Sequence, residues 1–228
     1  MKQPILTVKQ MRELDEFVIK RDDAAITLMG KAGEALANEL VNFKRIAIVS
    51  GPGNNGGDGY AAIYSLQERK LLDDKEVTIY FTKEPKSEES QFFFNKIAHE
   101  NVKFEKFENG ARLKNSHDVV ADCLLGTGFS GIARGAIKDA IDKINESNSH
   151  VISMDINSGV NGDTGDGEIG VKSDLTLSIG YMKIGMLNPE FKKWAGELKN
   201  VNIGYELTEE NLSPFNEADK IKFIEYPS

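Results

Sequence analysis

Cysteine is almost missing from this sequence: one stands among 228 residues. No disulfide can close within the chain, and no cysteine cluster can hold a metal. Cys123 lies in an apolar run and reads as a small core residue. Histidine is scarce as well; His99, His117 and His150 do not have the spacing of metal ligands. Positive charge is outnumbered, with a net charge of -8, which argues against a nucleic-acid surface. No apolar run approaches a membrane span, and the first residues lack the hydrophobic region of a signal peptide. A hydrophobic fraction of 40% is still enough to build a core. A soluble cytoplasmic protein is expected, with neither nucleic acid nor membrane as a partner.

The Thr7-Val8-Lys9-Gln10 stretch has the pattern of a capping box and opens a helix with Met11, Leu14 and Val18 on one face. A second helix is expected from near Thr27; its small face at Ala32, Gly33 and Ala35 permits close packing, within the chain or across a dimer. From Arg45 onward strands and helices alternate. Strands are expected at 45–50, 77–82, 102–107, 118–124, 150–155, 174–179 and 199–204, and helices near 58–70, 87–99, 134–147 and 189–195. This alternation predicts an α/β fold: a largely parallel sheet with helices on both faces, carrying an N-terminal helical extension. The tail after Tyr205 is acidic and closes on a short segment, 220–226, expected to lie at an edge.

The chain is organised around Gly51-Pro-Gly-Asn-Asn-Gly-Gly-Asp-Gly59, between the first of these strands and its helix. Five glycines there remove Cβ atoms that would hold a ligand away from the backbone. A helix start adds free N–H groups and a positive dipole end, which favour an anion. The Gly51-x-Gly53-x-x-Gly56 match to the dinucleotide fingerprint is weak by itself. The second strand ends in Thr82-Lys83, with no acid to hold a ribose, and Asp58 would repel a pyrophosphate. No Gly-Lys-Ser/Thr follows, so a P-loop is excluded too.

Three further strand ends should open onto the same rim, since ligands of open α/β sheets bind beyond the carboxyl ends of strands. They are Gly126-Thr-Gly-Phe-Ser-Gly131, Asp155-Ile-Asn-Ser-Gly159, and Gly180-Tyr-Met-Lys183. Asp122 stands in an otherwise apolar strand and needs donors or a cation. It reads either as a structural acid that ties down a loop, or as the carboxylate of a cation site completed by Asn55 and Ser158. One carboxylate with neutral oxygens suits a monovalent ion better than Mg²⁺. Asp155 is a candidate acid/base group. Lys183 pairs with it, binds phosphate, or is a surface lysine with its stem laid on apolar neighbours.

Taken together, the motifs at 51–59, at Asp122 with 126–131, at 155–159, and at Asp174-Leu-Thr-Leu with Lys183 and Gly185 resemble the YjeF N-terminal family, the NAD(P)H-hydrate epimerases. The opening Met11-Arg-Glu-Leu-Asp15 and Leu28-Met29 with Ala32-Gly33 resemble the family's first helices. The likeness runs over roughly 8–205, so 1–228 is expected to be a single domain of this type with a tail at 206–228. The resemblance implies a three-layer α/β/α Rossmann-like sandwich and a homodimer. It implies interconversion of the R and S forms of NADHX and NADPHX, with a separate ADP- or ATP-dependent dehydratase acting on the S form. Carried onto matching positions, Asn54, Asn55, Gly56, Gly57 and Asp58 would bind the hydrate. Asn55, Asp122 and Ser158 would hold one potassium ion per subunit. Gly126, Thr127, Gly128, Phe129, Ser130, Gly131 and Ile132 would hold the phosphates, and Asp155 the hydrated ring. Two other readings are a non-catalytic scaffold module of the same fold and an ordinary NAD(P)-dependent oxidoreductase. A retained polar rim at Asn55, Asp122, Asp155 and Ser158 favours the enzyme over the scaffold, and the missing ribose acid argues against the oxidoreductase.

The sequence departs from the family at three places. Asn157 stands where the family has Pro, which predicts a less rigid loop. Gly30-Lys31 replace a Glu near the expected interface, and Asn161 replaces an acid near the site. With no histidine or cysteine in the rim loops, the proton-transfer candidates are Asp58, Asp122, Asp155 and Lys183. Asp122 is assigned to the cation. Asp58 is expected to begin a helix, where the dipole keeps it ionised and suited to holding hydroxyls. Asp155 is left as the acid/base group, with Lys183 as its partner.

Overall fold

A computed structural model gives the architecture and describes residues 2–22, 24–108, 113, 116–208, 211–212, 214–215 and 220–225. After β1 (Lys2–Leu6) come α1 (Val8–Asp22) and α2 (Ala25–Leu40). Alternation then runs through β2 (Arg45–Ser50), α3 (Asn54–Glu68), β3 (Glu76–Phe81), α4 (Glu88–Lys96) and β4 (Val102–Lys106). It continues with β5 (Val119–Cys123), α5 (Ala136–Asn145), β6 (His150–Met154), β7 (Ser173–Ile179), β8 (Met182–Lys183), β9 (Ala195–Val201) and β10 (Lys222–Glu225). The helix expected at 189–195 is replaced by two short 3₁₀ turns, Ile184–Leu187 and Pro189–Lys193.

The main sheet has the order β4-β3-β2-β5-β6-β7-β9, and every neighbouring pair is parallel. Side chains alternate across it, as strand geometry requires. Ile46, Ile48, Ala121 and Cys123 pack into one core cluster with α1 to α4, while Ala47, Val49, Val120 and Leu124 pack into another with α5. The result is three layers, with four helices on one face and α5 on the other. Leu36, Leu40, Ile46, Ile48, Ile63 and Leu66 have no exposed surface, and each such side chain contributes about 1.5–3 kcal/mol by leaving water.

A second sheet, β10-β1-β8, lies outside the expected elements. β1 pairs parallel with β8 and antiparallel with β10, so 222–225 is the edge segment read from the tail. The capping box at the start of α1 is formed as read: Gln10 N donates to Thr7 Oγ1 at 3.1 Å, and Thr7 N donates to Gln10 Oε1 at 2.9 Å. The small face of α2 is used inside the chain. A Cβ on Gly33 would lie 2.4 Å from Ala61 Cβ, so α2 and α3 cross with their backbones nearly touching. That face is therefore not the surplus surface from which a dimer was read.

The loop around Asn157 is held more firmly than its missing proline suggests. The buried Asn157 amide donates to Val171 O at 3.0 Å, Ser173 Oγ at 2.9 Å and Trp194 O at 3.0 Å, and its Oδ1 accepts from Thr176 Oγ1 at 2.8 Å. Asn161 is exposed and closes a turn by accepting from Asp163 N and Thr164 N.

Candidate functional site

The chain leaves β2 toward β3 and β4 on one side, then returns to β5 on the other side of β2. Between β2 and β5 the following loops diverge, which is where open α/β sheets form their crevice. A cleft of about 580 Å³ occupies this place. Its floor carries Leu124, Leu125, Asp155 and Ile179 from strand ends. Met11, Arg12, Asp15 and Ile19 of α1, with Leu28, Met29 and Ala32 of α2, cover it. Gly53, Asn54, Asn55 and Asp58 form one wall, residues 126–129 another, and Tyr205 the back.

The glycines of 51–59 act mostly on the protein itself. A Cβ on Gly51 would lie 1.9 Å from Leu124 O, and one on Gly56 would lie 2.1 Å from Gly51 O. The first approach brings the two loops together at the switch point, and the second folds the 51–59 stretch onto itself. Only Gly53 of the five faces open space, so the reading of all five as ligand clearance is corrected. Gly56 and Gly57 are buried within α3 and do not line the cleft.

Helix α3 begins inside the glycine stretch, with Gly53 as its N-cap and no side-chain cap. Its first residues, Asn54 and Asn55, line the cleft, and a helix N-terminus with free N–H groups favours an anion. Asp58 is thus a full turn into the helix and not at its start. Burial, then the nearby charges of Asp155 and Asp15, push its carboxyl well above the usual range. That direction runs against the expectation that the helix dipole keeps it ionised. Asn55 is buried, and neither atom of its amide has a partner among the described residues.

Asp122 has no exposed surface and faces the α5 side of the sheet. Its carboxylate accepts from Ser158 Oγ at 2.5 Å, Ser158 N at 2.9 Å, Ser153 Oγ at 2.9 Å and Leu124 N at 3.3 Å. Burial raises its pKa, and these donors hold it back. Ser158 Oγ in turn accepts from Leu125 N at 2.9 Å. Asp122 therefore ties together the loops after β5 and β6, as the structural-acid reading expects.

Asp155 has φ +66°, and Ile156 N donates to Met154 O across it at 2.8 Å. This is a γ-turn on a non-glycine residue with positive φ, a strained conformation of the kind that gathers at functional sites. One carboxylate oxygen accepts from Thr127 N at 3.1 Å, and the other accepts from Lys183 Nζ. Lys183 has no exposed surface and also donates to Ile179 O at 2.8 Å. It is neither a surface lysine nor a phosphate ligand. Its hydrogen bonds to the cleft lining go to the Asp155 carboxylate and the Ile179 carbonyl.

Of the expected phosphate loop, Gly126, Thr127, Gly128 and Phe129 line the cleft, whereas Ser130, Gly131 and Ile132 are exposed beyond it. The Thr127 N–H is already committed to Asp155. Arg12 Nη2 donates to Thr127 O at 2.7 Å and bridges α1 to this loop. Arg12, Asp15 and Tyr205 were not read as site residues. Asp15 shares the buried face of α1 with Met11, one turn before it; an acid on an apolar stripe was the signal available. Nothing local to Tyr205 announces its role. Among the described residues no helix is long and apolar enough to cross a membrane.

Comparison with known proteins gives a consistent result. The family described as YjeF-related protein N-terminus matches residues 25–185. An NAD(P)H-hydrate epimerase of Elusimicrobium minutum is 35% identical over 220 residues, covering 87% of this chain and 95% of that relative. One of Plasmodium knowlesi is 33% identical over 186 residues, covering 77% of this chain and 63% of the relative. A bifunctional NAD(P)H-hydrate repair enzyme Nnr of Thermofilum pendens is 35% identical over 190 residues, 78% of this chain but 36% of its own length.

Proposed function

The chain belongs to the family of YjeF-related protein N-termini, and on that premise we propose that it is an NAD(P)H-hydrate epimerase, an isomerase that interconverts the R and S forms of hydrated NADH and NADPH. The observation that carries this reading is Asp155, a strained carboxylate open to the cleft and paired from beneath by a fully buried lysine. A binding module has no need of such an arrangement.

Epimerisation inverts the carbon that bears the hydroxyl of the hydrated ring. Release and return of that hydroxyl, or ring opening, requires a proton delivered to oxygen and a proton taken back. Asp155 is the base, with Lys183 fixing its geometry. The ring lies against Met11, Leu28, Met29 and Ile179, within reach of Asp155 and Asp58. The phosphates lie toward the N-terminus of α3, Arg12 and the Gly126–Phe129 loop, with the more exposed Ser130, Gly131 and Ile132 at their outer side.

Potassium fits in part. The unpartnered, buried Asn55 amide is a donor set in want of a ligand, and Ser158 Oγ adds a second neutral oxygen. The four hydrogen bonds on Asp122 occupy its lone pairs. It would reach an ion by giving up the longest, to Leu124 N, or through its field alone. A bound potassium would supply a fixed positive charge next to the cleft. A separate ADP- or ATP-dependent dehydratase would consume the S form in the cytoplasm; the bifunctional Thermofilum relative supports that coupling. A homodimer would be built on surface other than Gly33, which packs on α3, and Ala32, which lines the cleft.

The test is direct. Purified R hydrate is incubated with the protein and the epimers are resolved by chromatography. Appearance of the S form well above the rate in buffer supports the reading; a rate equal to buffer refutes it.

A further inference from the structure

Epimerisation by this route asks for two proton transfers, one to the oxygen that leaves and one from the oxygen that adds, and Asp155 supplies one. A second carboxyl, from α1, lines the same cleft. Asp15 projects from the buried face of α1 into the cleft. One of its carboxylate oxygens accepts from the Tyr205 hydroxyl. Tyr205 is itself fixed by three bonds: its N–H donates to Asn202 Oδ1 at 2.9 Å, and its carbonyl accepts from Tyr181 Oη and from Asn202 Nδ2, each at 3.0 Å. The arrangement aims a carboxyl group, 190 residues away in sequence from its partner, at the same space that Asp155 faces.

We infer that Asp15, oriented by Tyr205, is a second catalytic residue, the general acid that protonates the departing hydroxyl while Asp155 deprotonates the returning water. This deepens the epimerase reading and rests on it. In the step, the proton passes from Asp15 to the hydroxyl oxygen. The carbon–oxygen bond breaks with its electron pair on the leaving water, and the lone pair of the ring nitrogen fills the vacancy as C=N⁺. Water adds to the other face of that carbon, and Asp155 takes the proton it sheds. One proton has moved from Asp15 to Asp155 and returns through solvent; no redox partner is needed.

The charges around Asp15 suit the role. Burial first, and then the field of Asp155 and of Glu16 on its own helix, push its carboxyl up to about 6. The Tyr205 hydrogen bond and the Lys183 charge pull the other way. Asp58, from α3, is coupled to it as a like charge. A carboxyl raised by burial at the wall of a cleft is suited to hold a proton at working pH and deliver it.

The experiment compares wild type, Asp15→Asn and Tyr205→Phe in the epimer-resolving assay across pH. A general acid works while protonated, so wild-type kcat/KM should fall as pH rises through about 6. Asp15→Asn should melt no earlier and keep KM within a few-fold, but lose roughly a hundred- to ten-thousand-fold in kcat, with the alkaline limb gone. Tyr205→Phe removes a bond that favours the ionised form, so its limb should move to higher pH. An active wild type with Asp15→Asn within a few-fold of it overturns the assignment alone. So does a Tyr205→Phe limb that stays in place, which decides the matter if Asp15→Asn does not fold. An inert wild type overturns the epimerase reading and this assignment with it.

Discussion

Lys183 reaches Asp155 from underneath: its Nζ donates to Asp155 Oδ1, and no part of the lysine is exposed, while 16% of the Asp155 side chain remains open to the cleft. The pair is asymmetric by construction, with the cation sealed inside and the carboxylate at the surface. Removing the cation should therefore be felt in both stability and rate. Lys183→Met is expected to cost about 3–5 kcal/mol, because it leaves a largely buried carboxylate unpaired. Denaturant midpoints measure that loss. In the same variant kcat should fall, because Asp155 loses the contact that fixes its carboxylate. A variant as stable and as active as wild type would mean that the pair is ornamental.

Asp15→Asn should do the opposite to stability. Its folded carboxyl is raised to about 6 from the ordinary value of 3.8. Between those values the folded state holds the proton more tightly than the unfolded chain. Stability therefore falls as pH rises through this window, and at pH 7 the whole loss is present. Replacing the acid with its neutral isostere should recover roughly 1–3 kcal/mol at pH 7 and almost nothing at pH 3.5. Thermal melts at the two pH values check this. Stabilisation accompanied by lost activity is the pattern of a residue kept for chemistry.

Gly33→Ala tests the helix crossing. The added methyl would meet Ala61 Cβ at 2.4 Å and backbone atoms of Ala61 and Ala62 at 2.6 and 2.7 Å. Rigid backbone cannot give way as a side-chain tip can, so α2 must lift from α3. Overpacking of this kind costs about 1–3 kcal/mol. α2 also covers the cleft through Leu28, Met29 and Ala32, so KM should rise in step with the loss of stability. An unchanged urea midpoint would contradict the packing account.

The proposed potassium site predicts a specific ion effect. Melting temperature should rise in potassium chloride relative to choline chloride at equal ionic strength, because an ion that binds only the folded state adds stability by mass action. Asn55→Leu should abolish that difference. In choline it should be no less stable than wild type, since it removes a buried amide without partners. A wild-type melt indifferent to the cation would remove potassium from the account.

Much of this was legible in the sequence because it is local. Strands such as 45–50 and 119–123 are short apolar runs, and each ends in the polar or glycine residues that build the rim. Asp122 stood out as an acid among apolar neighbours, and its satisfaction by Ser158 and Ser153 fits one of the two readings offered. The start of α3 was misplaced because glycine reads as a helix breaker. Here the glycines begin the helix, since only they allow the approach of Gly56 to Gly51 O. The rest depends on distance along the chain. β1 meets β10 across more than two hundred residues, and Tyr205 meets Asp15 across 190. Neither segment carries a pattern that names its partner.

The central claim is that this cleft, through Asp155, inverts the hydrate's stereocentre. The measurement that tests it most directly mixes both epimers with an S-specific dehydratase and follows loss of the hydrate, with wild type or Asp155→Asn added. Asparagine tolerates positive φ, so the variant should keep the turn and lose only the proton transfer. Wild type should clear both halves of the mixture. Asp155→Asn should clear the S half and leave the R half to decay roughly a hundred- to ten-thousand-fold more slowly. An R half that wild type leaves at the rate seen without it, or that Asp155→Asn clears as fast as wild type, would contradict the account.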